Sequence, residues 1–344
     1  MQVTNAAKPR KTPAKKPGLI GWLLLAPMVI WLAAFVVAPT AILLVASFTS
    51  ANEDTGFPVY KQPPPAAGEK QRPAFETGNY KRIVVDDEGK LLTTEEEDIV
   101  TVDAAGAEQV VGTKKVTRFA APYLRVFGYS ILYAGIATAI CILIGYPVAW
   151  YIGRAKENTR NMLLMAVMIP FWTSFLIRTY AWITILAEQG LLNGMLQYTN
   201  MITQPFQMLY TPGAVVLGLV YNYLPFMILP IYGSVEKLDS SLVEAAFDLG
   251  AGPVRAFQRV ILPLTRPGIV AGVMLVFVPA VGMFAISSLM GGGKSPMIGD
   301  IISNQFFAGR DWPFGSALGM TLVLMFVLAF LATSRLRKAV TDAG

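Results

Sequence analysis

The chain has 344 residues, of which 54% are hydrophobic and only 15% are charged. Its mean hydropathy of +0.51 excludes a soluble domain of ordinary composition. With no histidine and a single cysteine, Cys141, the chain lacks the residues for an internal disulfide, for a zinc site built on His or several Cys, and for a histidine-dependent catalytic triad.

Long runs without charged residues predict membrane-spanning helices. A helix needs about 20 apolar residues to cross the hydrocarbon layer, and lipid offers the backbone no hydrogen-bond partner. Runs along the whole chain meet this length, one of them interrupted only by Arg178. The sequence therefore predicts an all-α integral membrane protein with six transmembrane helices, at 19–47, 127–152, 162–186, 211–233, 268–290 and 314–334.

Two segments outside these helices have a distinct composition. Residues 1–18 are basic and rich in Pro and Ala, which predicts a disordered lead before a retained first helix. Residues 48–125 form a long polar insertion with β-like runs at Ile83–Val85, Leu91-Leu92 and Ile99–Val102. The first two runs, joined by an acidic turn that ends in glycine, predict a hairpin. The favoured interpretation is a small, partly β elaboration, and the alternative is a docking surface for an external partner.

The positions of Lys and Arg predict the orientation. Basic residues collect in the N-terminus, in the loops 153–161 and 234–267, and in the tail 335–344. By the positive-inside rule these segments are cytoplasmic and the 48–125 insertion is extracytoplasmic, with a core at 126–334. Because the charge lies at helix ends and forms no stripe, we expect a lipid bilayer and no nucleic acid as the partner.

The cytoplasmic loop 234–267 carries a predicted helix–turn–helix. A first helix begins near residue 240, with either Asp239 or Ser241 as its N-cap, and ends at Gly250. Leu242, Ala245, Ala246 and Leu249 share one face of this helix, and Glu244 and Asp248 share the other. Gly252-Pro253 predicts the start of a second helix, which bears Arg255 and Arg259 and is expected to end at Pro263.

This loop resembles the EAA loop of type I ABC importer permeases. The shared pattern is Glu-Ala-Ala, three residues, Gly, nine residues, an aliphatic residue, one residue, then Leu-Pro, which here runs from Glu244 to Pro263. The resemblance implies that the loop inserts into a cytoplasmic ATPase, with coupling through Glu244, Ala245, Ala246, Asp248, Leu249 and Gly250. Phe247 stands where the family often has Arg. The alternative, an amphipathic helix lying at the membrane interface, does not account for the spacing to Leu262-Pro263.

Other stretches are similar to spermidine/putrescine permeases, namely 170–182, 190–193, 221–226, 291–294 and 310–315. This likeness implies a subunit of the bacterial inner membrane that imports polyamines. Its implied partners are a second homologous permease, two cytoplasmic ATPases and an extracytoplasmic substrate-binding protein. ATP and Mg²⁺ would bind the ATPases, and no cofactor would bind this chain: Gly293-Lys294-Ser295 is not a P-loop, because Ser288 stands where its first glycine belongs.

A polyamine path needs carboxylates or aromatic faces to replace water around the ammonium groups. Candidates, each with packing or a loop structure as the alternative, are Trp172, Tyr180, Glu188, Tyr221, Asn222, Tyr223, Asp300 and Asp311. Arg178 would repel a polyamine, so we expect a structural ion pair or a gate there. Permeases for opines, other amines or sulfate-type solutes share this scaffold. The rivals outside this class are a secondary transporter or channel, and a membrane-embedded enzyme.

Overall fold

The computed structural model describes residues 19–52, 55–59, 77–85, 92–102, 108–119 and 122–342. The segment 1–18, for which we predict disorder, lies outside these ranges. In chain order the helices are α1 (Leu19–Leu32), α2 (Ala38–Ala46), α3 (Gly78–Val84), α4 (Pro122–Arg154), α5 (Glu157–Trp172), α6 (Phe175–Leu186), α7 (Leu191–Tyr198), α8 (Pro212–Glu236), α9 (Ser240–Asp248), α10 (Pro253–Ala256), α11 (Leu262–Val281), α12 (Phe284–Gly291), α13 (Ile298–Phe307) and α14 (Trp312–Asp342).

Within the described ranges, five helical segments are long and apolar enough to cross a membrane. They are Leu25–Ala46, Tyr123–Arg154, Pro212–Glu236, Pro253–Val281 and Trp312–Leu331. A sixth crossing results when α5 and the segment Phe175–Tyr198 are counted as one bent span. The prediction of a mainly helical membrane protein is therefore confirmed, with five to six spans where six are predicted.

The third span is not the single helix predicted at 162–186. It starts earlier, at Glu157, and bends by 88° between α5 and α6. Thr173 and Ser174 at the bend have extended backbones. The Thr173 hydroxyl donates to the carbonyl oxygen of Pro170 at 2.8 Å, which caps the end of α5. The break therefore leaves this terminal carbonyl satisfied although no water is available in lipid.

The fifth span also differs from its prediction at 268–290. Its helix starts at Pro253 and ends at Val281, and α12 follows after Gly282 and Met283. Met283 is extended, with ψ 104°. A Cβ atom added to Gly299 would lie 2.9 Å from the carbonyl carbon of Gly282, so α13 approaches the break closely. Hydropathy shows no such break because the residues around it are all apolar.

The core of the described bundle forms around α8, which contacts α4, α11, α12 and α6. Met227 and Ile231 of α8 are fully buried against residues of these helices. At the crossing of α8 and α11, a Cβ atom added to Gly268 would lie 2.5 Å from the carbonyl oxygen of Pro230. Since real Cβ contacts are longer, only glycine permits this approach.

The insertion between the first two spans is part helix and part strand. β1 (Ser50–Ala51) pairs with β2 (Pro58–Val59), and β3 (Leu92–Val102) pairs antiparallel with β4 (Glu108–Phe119). The Ile99–Val102 run lies in β3 as predicted, with a bulge after Ile99. The strand predicted at Ile83–Val85 is wrong, because Ile83 lies in α3 and is buried against the bundle. The predicted turn at 86–89 lies outside the described residues.

We expect Gly268→Ala to destabilise the purified protein by about 1–3 kcal/mol, the usual range for overpacking, because the new methyl group meets the rigid backbone of α8. The matched control is Gly233→Ala. Gly233 lies on α8 close to Pro230, and nothing lies within 4 Å of a Cβ atom added to Gly233. Thermal unfolding in detergent measures both. Equal melting temperatures for the two variants would contradict the close crossing.

Candidate functional site

Residues 237–261, which we call the coupling loop for the role that the resemblance implies, join α8 to α11 and begin with a capped helix. The carboxylate of Asp239 accepts from the backbone N–H of Ser241 at 2.9 Å, so Asp239 and not Ser241 is the N-cap of α9. This bond holds the pKa of Asp239 below its ordinary value. The helix therefore begins at Ser240, as the sequence predicts.

The end of α9 depends on one glycine. Gly250 has φ +79°, in the left-handed region that residues with a Cβ atom rarely adopt. The turn is closed by the N–H of Gly250, which donates to the carbonyl of Phe247 at 2.9 Å, and by the N–H of Ala251, which donates to the carbonyl of Ala246 at 3.0 Å. The predicted stop at Gly250 is a Schellman-like termination.

α9 leaves large apolar side chains uncovered. Of the face predicted to pack, Ala246 is buried, whereas Leu242 is 48% and Leu249 is 89% exposed. Phe247, in the position where the family often has Arg, is 47% exposed. Glu244 and Asp248 are exposed on the other face. Clustered apolar residues beside carboxylates, on a loop outside the apolar spans, are typical of a protein-binding surface.

The second half of the loop continues into the membrane without a stop. Gly252 is the N-cap of α10 and Pro253 is its first residue, as predicted. The expected end at Pro263 is wrong, because a π-helical turn at Phe257–Ile261 leads directly into α11. The wider π turn shifts the hydrogen-bond register, so the missing N–H of Pro263 falls at the junction and the chain stays helical. The loop and the fifth span therefore form one mechanical unit.

All four aromatic candidates for a translocation path lie either near the bend between α5 and α6 or on α8, which contacts the bend. Trp172 and Tyr180 are 76% and 55% exposed. Tyr221 packs edge-to-face on Trp182, with ring centroids 5.4 Å apart, and Tyr223 lies 6.2 Å from Phe226. In the structure Trp172 and Tyr180 are therefore exposed, whereas Tyr221 and Tyr223 are half-buried.

The polar candidates on α8 and after α6 also differ in exposure. Asn222 is buried, and its amide nitrogen donates to the carbonyl of Gly218 at 2.9 Å. Its Oδ1 atom is buried and has no hydrogen-bond partner among the described residues. Glu188 is exposed in the turn before α7. Only Glu188 of these two is open to a solute in this conformation.

Asp300 is buried, and its carboxylate is already hydrogen-bonded within the chain. Its carboxylate accepts from the hydroxyl of Ser287 and from the backbone N–H of Met297 at 2.8 Å, which caps α13 and ties it to α12. Burial raises the pKa of Asp300, and these two hydrogen bonds oppose the shift. This geometry favours the structural alternative for Asp300, and its part in a path stays a prediction.

Asp311 joins the insertion to the last span. One carboxylate oxygen lies 2.8 Å from Nη1 of Arg82 in α3, and the other accepts from the N–H of Phe314 at 3.0 Å. The Arg82 guanidinium also lies 4.1 Å from the centre of the Phe314 ring. The backbone N–H of Trp312 donates to the carbonyl of Gly56 at 3.2 Å. Both carboxylate oxygens of Asp311 are therefore engaged within the chain.

Two ion pairs of the structure were not expected from the sequence: Arg82 with Asp311, and Arg160 with Glu236 at 3.2 Å. Arg160 lies at the start of α5 and Glu236 at the end of α8. The pair therefore links the bent span to the start of the coupling loop. Neither pair has a local signal, because the partners are distant in the chain.

The apolar spans, the broken third span and the exposed loop are typical of a membrane transport subunit. Residues 142–341 match the family described as binding-protein-dependent transport system inner membrane component, and the chain belongs to this family. The fold agrees: one chain of a bacterial ABC transporter involved in the import of the acidic polysaccharide alginate superposes with a TM-score of 0.60, at 16% identity, covering 92% of this chain and 96% of that one.

Individual relatives of higher identity point to one group of transporters within this family. The chain is 44% identical over 245 residues to the spermidine/putrescine transport system permease protein PotB of Salmonella typhimurium, covering 70% of this chain and 85% of the relative. It is 45% identical over 230 residues to the PotB of Escherichia coli strain K12, covering 67% and 84%. The molybdenum permease ModB of Azotobacter vinelandii is 27% identical over 213 residues, with 60% and 91% covered.

If Asp311 serves the fold, exchanging the charges should preserve function. We expect Asp311→Arg alone to weaken uptake, since it places two cations together, and the double variant Arg82→Asp with Asp311→Arg to restore it. Arg82 is 49% and Asp311 is 22% exposed, so the ion pair itself contributes less than about 1 kcal/mol. Both variants also lose the hydrogen bond from the Phe314 N–H, which costs each of them about 1 kcal/mol more. Uptake by whole cells measures this; loss of uptake in both variants would indicate that Asp311 itself attracts the cargo.

Proposed function

We propose that this protein is a membrane-spanning subunit of an ATP-driven importer that carries polyamines into the cytoplasm. The observation that supports the mechanism best is the coupling loop: its capped helix α9 exposes apolar and acidic side chains, and its second helix α10 runs without a break into a membrane span. The observation that supports the cargo is the 44–45% identity to permeases named for spermidine and putrescine.

In this proposal a separate ATPase moves the loop. Glu244 and Asp248 offer carboxylates to basic groups of the ATPase, and Leu249 inserts into an apolar cleft. The small side chains of Ala245 and Ala246 let the ATPase approach α9 closely. Gly250 provides the turn after which α10 leads back to the helix bundle. Because α10 and α11 are continuous, closure of the ATPases would tilt the fifth span. The tilt would open the translocation path alternately to the two sides of the membrane.

The assembly that this mechanism requires contains a second homologous permease, two cytoplasmic ATPases and an extracytoplasmic binding protein. ATP and Mg²⁺ would bind to the ATPases. The loop and both termini would lie in the cytoplasm and the insertion outside, which agrees with the distribution of basic residues. The exposed Trp172, Tyr180 and Glu188 are the candidates most available to a cation, with Tyr221, Asn222 and Tyr223 deeper in the bundle.

Uptake by reconstituted vesicles tests the proposal. The chain, its companion permease, the ATPases and the binding protein are placed in liposomes with ATP inside, and radiolabelled spermidine and putrescine are added outside. We expect accumulation only with ATP and with every component present. Accumulation driven by an ion gradient without the ATPases would instead establish a secondary transporter, and accumulation of molybdate or another solute would overturn the polyamine assignment.

Gly250→Ala should uncouple transport from ATP hydrolysis. The new methyl group meets no atom within 4 Å, so its effect is the backbone strain of a positive φ, about 1–2 kcal/mol, which favours a straightened or frayed loop. Gly252→Ala is the matched control, because Gly252 has φ −70° and equal space. The ratio of spermidine transported to ATP hydrolysed measures coupling; an unchanged ratio in Gly250→Ala would contradict the mechanism.

A further inference from the structure

Arg178 lies inside the apolar layer. It belongs to the first turn of α6, just after the bend that ends α5. The 16 residues of α5 have a length of about 24 Å, which is less than the hydrocarbon thickness of about 30 Å. Since α5 starts at the predicted cytoplasmic surface, the chain has not left the membrane when it reaches Arg178.

The charge of Arg178 is not compensated by the chain that the structure describes. Atoms Nε and Nη1 are buried, and neither has a hydrogen-bond partner among the described residues. The guanidinium carbon lies 5.5 Å from the centre of the Phe171 ring, a weak contact for a desolvated cation. The first turn of a helix carries positive partial charge, which adds to the demand for an anion. Glu157, the carboxylate of α5, lies at the opposite end of that helix.

The surface beside Arg178 is apolar and uncovered. Trp172 is 76%, Leu176 is 52%, Ile177 is 66% and Tyr180 is 55% exposed. Lipid chains would satisfy these side chains but offer no anion to the buried guanidinium. A protein surface would supply both apolar cover and a carboxylate. Because this chain itself covers Nε and Nη1, the flexible Arg178 side chain would turn toward the exposed face to donate the two parallel hydrogen bonds that a carboxylate accepts.

We propose that Arg178 forms an intramembrane ion pair with an Asp or Glu of the second permease subunit, and that the exposed face around the α5–α6 bend is the contact between the two permeases. This inference rests on the proposed function, because it needs a companion permease. A cationic cargo cannot supply the missing negative charge. The ion pair would fix the position of the bend in the third span relative to the companion subunit. It would also neutralise a buried charge for which this chain offers no partner among the described residues.

Charge variants test the pair. The companion permease is co-purified in detergent with Arg178→Glu, Arg178→Gln and Arg178→Lys. We expect the first two to reduce the association constant at least about 100-fold, since removing one partner of a buried ion pair costs about 3–5 kcal/mol. Lys keeps the charge but cannot form the two parallel hydrogen bonds, so we expect Arg178→Lys to fall between Arg178→Gln and the wild type. Lys156→Glu, an exposed charge reversal at the N-terminus of α5, is the control and should leave association unchanged.

Two further measurements keep the test independent of folding. Each Asp and Glu in the membrane spans of the companion is changed to Arg in the presence of Arg178→Glu, and we expect one exchange to restore assembly. Separately, the only cysteine is removed as Cys141→Ala, and Ile177→Cys is oxidised against single cysteines beside those acids. We expect a disulfide from Ile177→Cys and none from Leu186→Cys, which is buried within its own chain.

The outcomes separate this inference from the proposed function. Arg178→Glu with unchanged co-purification and uptake would overturn the ion pair while leaving the importer intact. An altered KM for an anionic solute, with assembly unchanged in Arg178→Gln, would also overturn it, since Arg178 would then bind cargo. Failure of the wild-type assembly to import polyamine would instead contradict the proposed function, and the Ile177→Cys disulfide would still decide the contact.

Discussion

The crossing of α8 and α11 is the contact on which the rest of the site depends. α8 enters the coupling loop at one end and α11 leaves it at the other, and the two helices meet where Gly268 lies against the backbone of Pro230. This close contact lies within two helical turns of both ends of the loop. A force applied to α9 therefore reaches two packed helices at once, because packed interiors deform little. The Arg160–Glu236 pair extends the connection to the bent third span.

Breaks in the membrane helices are the second organising feature. The third span is interrupted at Thr173-Ser174, and the fifth span ends at Val281, where Gly282-Met283 separates it from α12. Irregular backbone at membrane depth is tolerated where protein encloses it or where it lines a cavity. The break at Gly282 is enclosed by α13, whereas the break before α6 adjoins an exposed apolar face. Of the two breaks, the one before α6 is therefore the one that this chain leaves uncovered, in agreement with the subunit contact that we propose there.

Features determined by neighbouring residues could be predicted from the sequence. Apolar runs located the spans, and Gly250 and Pro253 marked ends of the loop helices because caps act within a few residues. The start of α9 could be placed only to within Asp239 or Ser241, and the structure selects Asp239. Features determined by distant contacts could not. The bend at Thr173 has no hydropathy signal, and the partner of Asp311 is 229 residues away in sequence. The prediction that the second loop helix ends at Pro263 was wrong because the π turn that precedes Pro263 has no signal in the sequence pattern.

The central claim is that a separate ATPase acts on the α9–α10 segment. Hydrogen–deuterium exchange of residues 237–263, measured in nanodiscs with and without the ATPase subunits, tests it most directly, because exposed amides of this loop exchange readily unless a partner covers or stiffens them. We expect slower exchange across 240–252 when the ATPases bind, with further change on adding ATP. Unchanged exchange in this segment, with ATPases demonstrably bound elsewhere on the protein, would contradict the account.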